Sequence, residues 1–245
     1  MKYFRPQLFN YSFWLLAILF VSFELQAQLP DPQRFEDAIK AFEEQDLLNP
    51  PPEGAIVLTG SSSIARWDDQ AHAALAPLTV IPRGFGGSVM NDLLYYLDRV
   101  AIKYKPRAIL IYEGDNDTAP SNSIPKAQIL DHLDQIIRQI HQKLPDTRIY
   151  VLSVKPSVSR KAVWPSAQEV NAGYKAMADQ DPLVHYVDVA TPLLNPDGTV
   201  RTDIFVEDDL HLNDKGNEIW GRTIKAALMP FEVQYEKTIG YRPQP

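Results

Sequence analysis

The chain has 245 residues, 45% of them hydrophobic and 22% charged, with a formal net charge of −7. That length holds one domain with short extensions, and such a composition folds rather than staying disordered. The acidic balance, without any Lys/Arg block, excludes nucleic acid and acidic membrane surfaces as expected partners. The absence of cysteine excludes disulfides, thiolate metal sites, cysteine nucleophiles and lipid attachment through an N-terminal cysteine.

Lys2 and Arg5 precede an apolar run from Phe13 to Phe23, and Ala27 follows shortly after. A positive start, an apolar stretch of about a dozen residues and a small residue at its end have the form of a secretory signal. The run is shorter than the roughly 20 residues that span a bilayer. Residues 1–27 are therefore expected to be removed rather than kept as an anchor. The mature protein would start near Gln28, be secreted or periplasmic, and keep no stable membrane span.

From Arg34 to Leu48 charges alternate with Phe35, Ile39, Phe42 and Leu47, an amphipathic helical pattern that Asn49-Pro50-Pro51-Pro52 ends. Residues 28–52 thus read as a helix and a proline linker before a domain spanning 53–229. Short apolar runs predict strands at Ala55–Leu58, Leu78–Ile81, Ala108–Tyr112, Arg148–Leu152 and Val184–Asp188. Helical patterns lie between and after them at Val89–Lys103, Lys126–Leu144, Ser166–Ala178 and Asp214–Leu228. This alternation means βαβ units and an α/β fold whose parallel sheet is covered on both faces. The tail, residues 230–245, is polar and proline-bearing and is expected to be partly ordered at best.

In a sheet of this kind ligands bind beyond the carboxyl ends of the strands. Four segments there stand out: Thr59-Gly60-Ser61-Ser62-Ser63-Ile64, Arg83-Gly84-Phe85-Gly86-Gly87-Ser88, Glu113-Gly114-Asp115-Asn116-Asp117 and Asp208-Asp209-Leu210-His211. Taken singly, each has an ordinary explanation: a capped turn, a glycine turn, an Asx-rich loop, a surface ion pair. Together, at one sheet edge, they supply what acyl transfer needs. A serine hydroxyl needs an imidazole to take its proton, and the imidazole needs a carboxylate to hold its tautomer. Asp208 and His211 are three apart, so one turn can join them and leave Nε2 facing Ser62. Ser63 is a rival by residue type. The backbone N–H groups of Ser62 and Gly87 and the side-chain amide of Asn116 can serve as oxyanion donors.

The ensemble resembles the GDSL/SGNH hydrolase superfamily, which is defined by Ser, Gly, Asn and His from four separate blocks. Gly60-Ser61-Ser62-Ser63-Ile64-Ala65-Arg66-Trp67 is similar to the Gly-Ser-Ser-Ser-Ile variant of the first block, and that register selects Ser62 over Ser63. Gly87 falls in the glycine block. Gly114-Asp115-Asn116-Asp117 fits the family's Gly-x-Asn-Asp, and Asp208 to His211 fits its Asp-x-x-His. The resemblance runs from residue 55 to about 228. It implies a three-layer α/β/α sandwich around a flavodoxin-like parallel sheet of five strands, catalytic Ser62, Asp208 and His211, and no cofactor or metal. Two departures stand out. Ser61 replaces the family's common aspartate, and Pro82 precedes Arg83-Gly84 where many relatives carry a polar residue.

Competing motifs fail. There is no His-Glu-x-x-His helix and no Cys/His cluster for zinc. The Asp115 loop has Pro120 and Lys126 where an EF-hand needs Gly and Glu. Ile64 stands where the α/β-hydrolase elbow requires its second glycine. Ser88 and Val89 follow the glycine cluster where a dinucleotide fingerprint needs a third glycine. His72, His132, His141 and His185 lack ligand spacing, and Trp67, Trp164 and Trp220 read as core or pocket wall. The expected function is hydrolysis of acyl esters, on acetylated carbohydrate or on small lipid esters such as lysophospholipids. The alternative is an exported protein of the same fold that binds carbohydrate or lipid without cleaving it.

Overall fold

The computed structural model describes residues 29–236, together with Met1. The expected signal segment and the last nine residues lie outside the described residues. No described helix is long and apolar enough to cross a membrane.

The strands are β1 (Ile56–Gly60), β2 (Val80–Gly84), β3 (Ala108–Tyr112), β4 (Arg148–Leu152) and β5 (Val184–Val187), paired in parallel in the order β2-β1-β3-β4-β5. The helices are α1 (Glu36–Leu48), α2 (Ser62–Ala65), α3 (Asp68–Leu75), α4 (Met90–Val100), α5 (Lys126–Lys143), α6 (Trp164–Ala178) and α7 (Asp214–Glu232). Alternate strand residues face opposite sides. Val57, Ile81, Ile109, Ile111, Ile149 and Val151 point into a core shared with α1, α4, α5 and α6. Ile56, Leu58, Val80, Leu110, Tyr150 and Leu152 point the other way, against Trp67, Leu75, Trp220, Ile224 and Leu228 from α2–α3 and α7. The expected three-layer α/β/α sandwich with a flavodoxin-like five-stranded parallel sheet is therefore what the chain forms.

Differences from the sequence reading are local. Strands β1 and β2 run further than their apolar cores, because Thr59 and Gly60 pair with Arg83 and Gly84. Pro82 is tolerated because β2 is an edge strand. Helix α7 passes through Pro230 to Glu232, and a 3₁₀ turn follows at Val233–Tyr235. The start of the tail is thus ordered. The buried Glu232 carboxylate holds it there, accepting from Arg107, Arg148 and the Tyr150 hydroxyl.

The chain order changes direction between β1 and β3, since β2 lies on one side of β1 and the later strands on the other. Such a switch point opens a crevice at the carboxyl ends of the flanking strands. Gly60 closes β1 at φ +131°, and a Cβ there would lie 2.1 Å from the Tyr112 carbonyl oxygen, so only glycine fits. Two residues later the chain presents Ser62 at the start of α2.

Candidate active site

Ser62 Oγ lies 2.8 Å from His211 Nε2, and His211 Nδ1 lies 2.6 Å from Asp208 Oδ2. With Nδ1–H donating to the carboxylate, Nε2 is left as the acceptor of the serine proton. Asp208 also accepts the backbone N–H groups of Leu210 and His211 at 2.9 Å each, which folds the Asp-x-x-His segment into a closed turn. Asp209 takes the left-handed conformation (φ +55°) that this turn requires. The His211 backbone N–H, followed by its ring, holds Asp208 well below the usual carboxylate range.

The other elements converge on the same serine. A Cβ built on Gly86 would sit 3.7 Å from Ser62 Cβ, so the glycine loop after β2 runs beside it. Gly87 adopts φ +90°, a left-handed geometry that turns the loop. Among the described residues, no hydrogen bond engages the backbone N–H of Ser62 or of Gly87. The Asn116 Nδ2 donates to the Ser88 carbonyl at 2.9 Å, which joins the third block to the glycine loop. Every residue singled out for the site is thus brought to one edge of the sheet.

Beneath this surface lie buried acids. Glu113 accepts from the Ser88 hydroxyl, and burial, reinforced by the nearby Asp117 charge, pushes its carboxyl well above the usual range. Asp117 takes the backbone N–H groups of Met90 and Gly114 at 2.9 Å each, which only partly offset the burial that pushes its own pKa up to about 7.

The loop after β4 contributes two residues that the sequence reading passed over. Arg160 Nη2 donates to Asn116 Oδ1 at 2.7 Å, and Nη1 pairs with Asp115. Lys155 Nζ lies 3.3 Å from Asp115 Oδ2 and donates to the Leu210 carbonyl at 2.8 Å. Burial works against the charge on Asp115, but Lys155 and Arg160 outweigh it and hold its pKa below the ordinary range. The signal for these residues was their place after a strand of the same sheet, the one strand end that carries no motif.

A cavity of about 520 Å³ opens beside His211, lined by Ser63, Arg66, Gln70, Val206 and Asn217 among others. The lining is about evenly polar and apolar, with polar side chains from Ser63, Arg66, Gln70 and Asn217, and neither Gly87 nor Asn116 belongs to it. Among the described residues, no group of His, Cys, Asp and Glu side chains is placed to hold a metal ion.

A family match defines the class, a hydrolase of carboxylic esters built on an α/β/α sandwich. The sequence profile of the GDSL-like Lipase/Acylhydrolase family matches residues 52–219, and the chain belongs to that family. Solved structures share its fold. A protein from Streptococcus pneumonia named after platelet activating factor is 23% identical with a TM-score of 0.69, covering 80% of this chain and 93% of its own. A GDSL-like lipase from Bacteroides thetaiotaomicron is 17% identical with a TM-score of 0.68, covering 78% of this chain and 97% of its own. A catalytic mutant of an acetylxylan esterase from Geobacillus stearothermophilus is 13% identical with a TM-score of 0.58, covering 71% and 93%. No curated protein matches the chain in a sequence comparison.

Proposed function

We propose that Ser62 is the nucleophile of this ester hydrolase, with His211 its general base and Asp208 the carboxylate that orients the ring. The observation that carries the reading is the unbroken row Ser62–His211–Asp208, with contacts of 2.8 and 2.6 Å. His211 takes the Ser62 proton as Oγ attacks the ester carbonyl. The oxyanion is held by the N–H groups of Ser62 and Gly87 and by the Asn116 amide. His211 then gives its proton to the departing alcohol, and water releases the acyl group by the same route. The ionised Asp208 stabilises the imidazolium in both halves.

The leaving oxygen must lie on the His211 side, because His211 protonates it. The cavity on that side, with Arg66, Gln70 and Asn217 in its wall, suits a polar alcohol better than an acyl chain. We therefore favour esters of carbohydrate or of a similarly polar head group. An acetylxylan esterase with the same fold is compatible with this choice. Export belongs to the same reading, and N-terminal sequencing of the mature protein would then begin at Gln28.

The test is an ester panel that varies one half of the substrate at a time: acetyl esters of methanol, p-nitrophenol and xylan, then longer acyl chains and lysophosphatidylcholine. The expected result is highest kcat/KM on acetylated saccharide, with Asn217→Ala weakening that substrate and sparing methyl acetate. A kcat/KM on methyl acetate equal to that on acetylated saccharide would overturn the polar-alcohol reading. Stoichiometric carbohydrate binding without turnover would point instead to the non-catalytic alternative.

A further inference from the structure

Of the three oxyanion donors, Asn116 alone is a side chain, and a side-chain amide has to be aimed. Its two ends are nearly the same shape, so a half-turn about the last bond would present Oδ1, an acceptor, to a developing negative charge. Two contacts decide the orientation. Nδ2 donates to the Ser88 carbonyl, which can only accept, and Oδ1 accepts from Arg160, which can only donate. Rotating the amide would set oxygen against oxygen at one end and NH₂ against guanidinium at the other.

Arg160 is itself held. Its planar fork spans the side chains of two consecutive residues, Nη1 on Asp115 and Nη2 on Asn116. Asp115 is 6% exposed and is further anchored by the Tyr112 hydroxyl at 3.0 Å and by Lys155. The same loop also reaches the histidine segment, through Lys155 Nζ to the Leu210 carbonyl and Ser159 N–H to the Asp209 carbonyl at 3.1 Å.

The geometry points to Arg160 as a positioning residue for ester hydrolysis: anchored on Asp115, it locks the Asn116 amide with Nδ2 toward the oxyanion. The inference rests on the proposed oxyanion role of Asn116. The guanidinium also draws electron density from Oδ1, which strengthens the N–H donors at the other end of the amide.

The experiment is a double-mutant cycle on the full chain, with kcat and KM measured separately for Arg160→Gln, Asn116→Ala and the pair. Asn116→Ala is expected to lower kcat by about 100-fold, the scale of one lost oxyanion donor. Arg160→Gln alone is expected to lower kcat by about 10-fold or more with KM nearly unchanged, because the contact acts in the transition state. The double variant is expected to be no slower than Asn116→Ala, since Arg160 acts through that amide. Arg160→Lys keeps a cation beside Asp115 and should restore the thermal stability lost in Arg160→Gln. It should not restore kcat, because an ammonium has no planar fork. If Arg160→Gln does not fold, the same cycle is run with Arg160→Lys. A double variant slowed by the product of the two single effects, or Arg160→Lys with wild-type kcat, would overturn the inference. An unchanged kcat in Asn116→Ala would remove Asn116 from the oxyanion hole and overturn the reading beneath it.

Discussion

Two buried carboxylates in this molecule have nearly the same company. Asp115, beyond the carboxyl end of β3, has Arg160, Lys155 and the Tyr112 hydroxyl. Glu232, near the opposite edge of the sheet, has Arg107, Arg148 and the Tyr150 hydroxyl. Each is a buried acid facing two cations and one phenol. What differs is where the cations' remaining N–H groups go. Arg107 continues to the Gly54 carbonyl and to Glu236, tying the two ends of the domain together. Arg160 and Lys155 continue to Asn116 Oδ1 and the Leu210 carbonyl, two loops of the site. One cluster holds the fold, the other holds the geometry of a reaction. Residue type and burial do not separate them; connectivity does.

The comparison breaks if changes at the two edges move the same quantity. The largest effect is expected at the carboxyl edge, where His211→Ala should lower kcat on the order of 10⁴-fold or more while leaving the melting temperature nearly unchanged. Steady-state kinetics beside a thermal melt reads both. At the other edge, Glu232→Gln leaves Arg148 without its buried counter-charge and Arg107 with Glu236 alone. It should cost about 3–5 kcal/mol in denaturant unfolding, with kcat/KM at 25 °C unaltered. A loss of kcat in that variant, under conditions where it is folded, would erase the distinction.

The pH profile sharpens the picture. The depressed pKa of Asp208 means that it stays ionised as pH falls through the ordinary carboxylate range. Asp208 should then add no step of its own to the acid limb within that range. Log kcat/KM is expected to fall with a slope no steeper than one through that range, and a slope of two would mean that Asp208 takes up a proton there. The smallest effect belongs to Ser63→Ala, expected within about threefold of wild type because Ser62 makes the bond to His211. Loss of activity there would move the nucleophile by one residue.

Most of the fold was legible because apolar runs such as Ala108–Tyr112 can be buried only as central strands, and the helices between them carry one apolar face. Each site block lay within a few residues of a strand end or the last helix, so the order of strands was enough to bring the blocks together. The strand ends were less legible. Thr59, Arg83 and Gly84 are polar or small, and they are in strands only because their neighbours pair. Pro230 looked like the end of a helix, yet the buried Glu232 two residues later carries the helix through it. Arg160 was invisible for another reason. It has no motif, and its partners are 44 and 45 residues away in the chain. Only the β3–β4 pairing brings that loop beside Asn116.

The central claim is that Ser62 is the activated hydroxyl of the site, and covalent labelling tests it most directly. The folded full-length protein would be treated with a fluorophosphonate, digested, and the adduct located by mass spectrometry. The account predicts one stoichiometric adduct, on Ser62, abolished in Ser62→Ala and strongly slowed in His211→Ala. An adduct on Ser63, or a folded wild-type protein that takes no label, would contradict it.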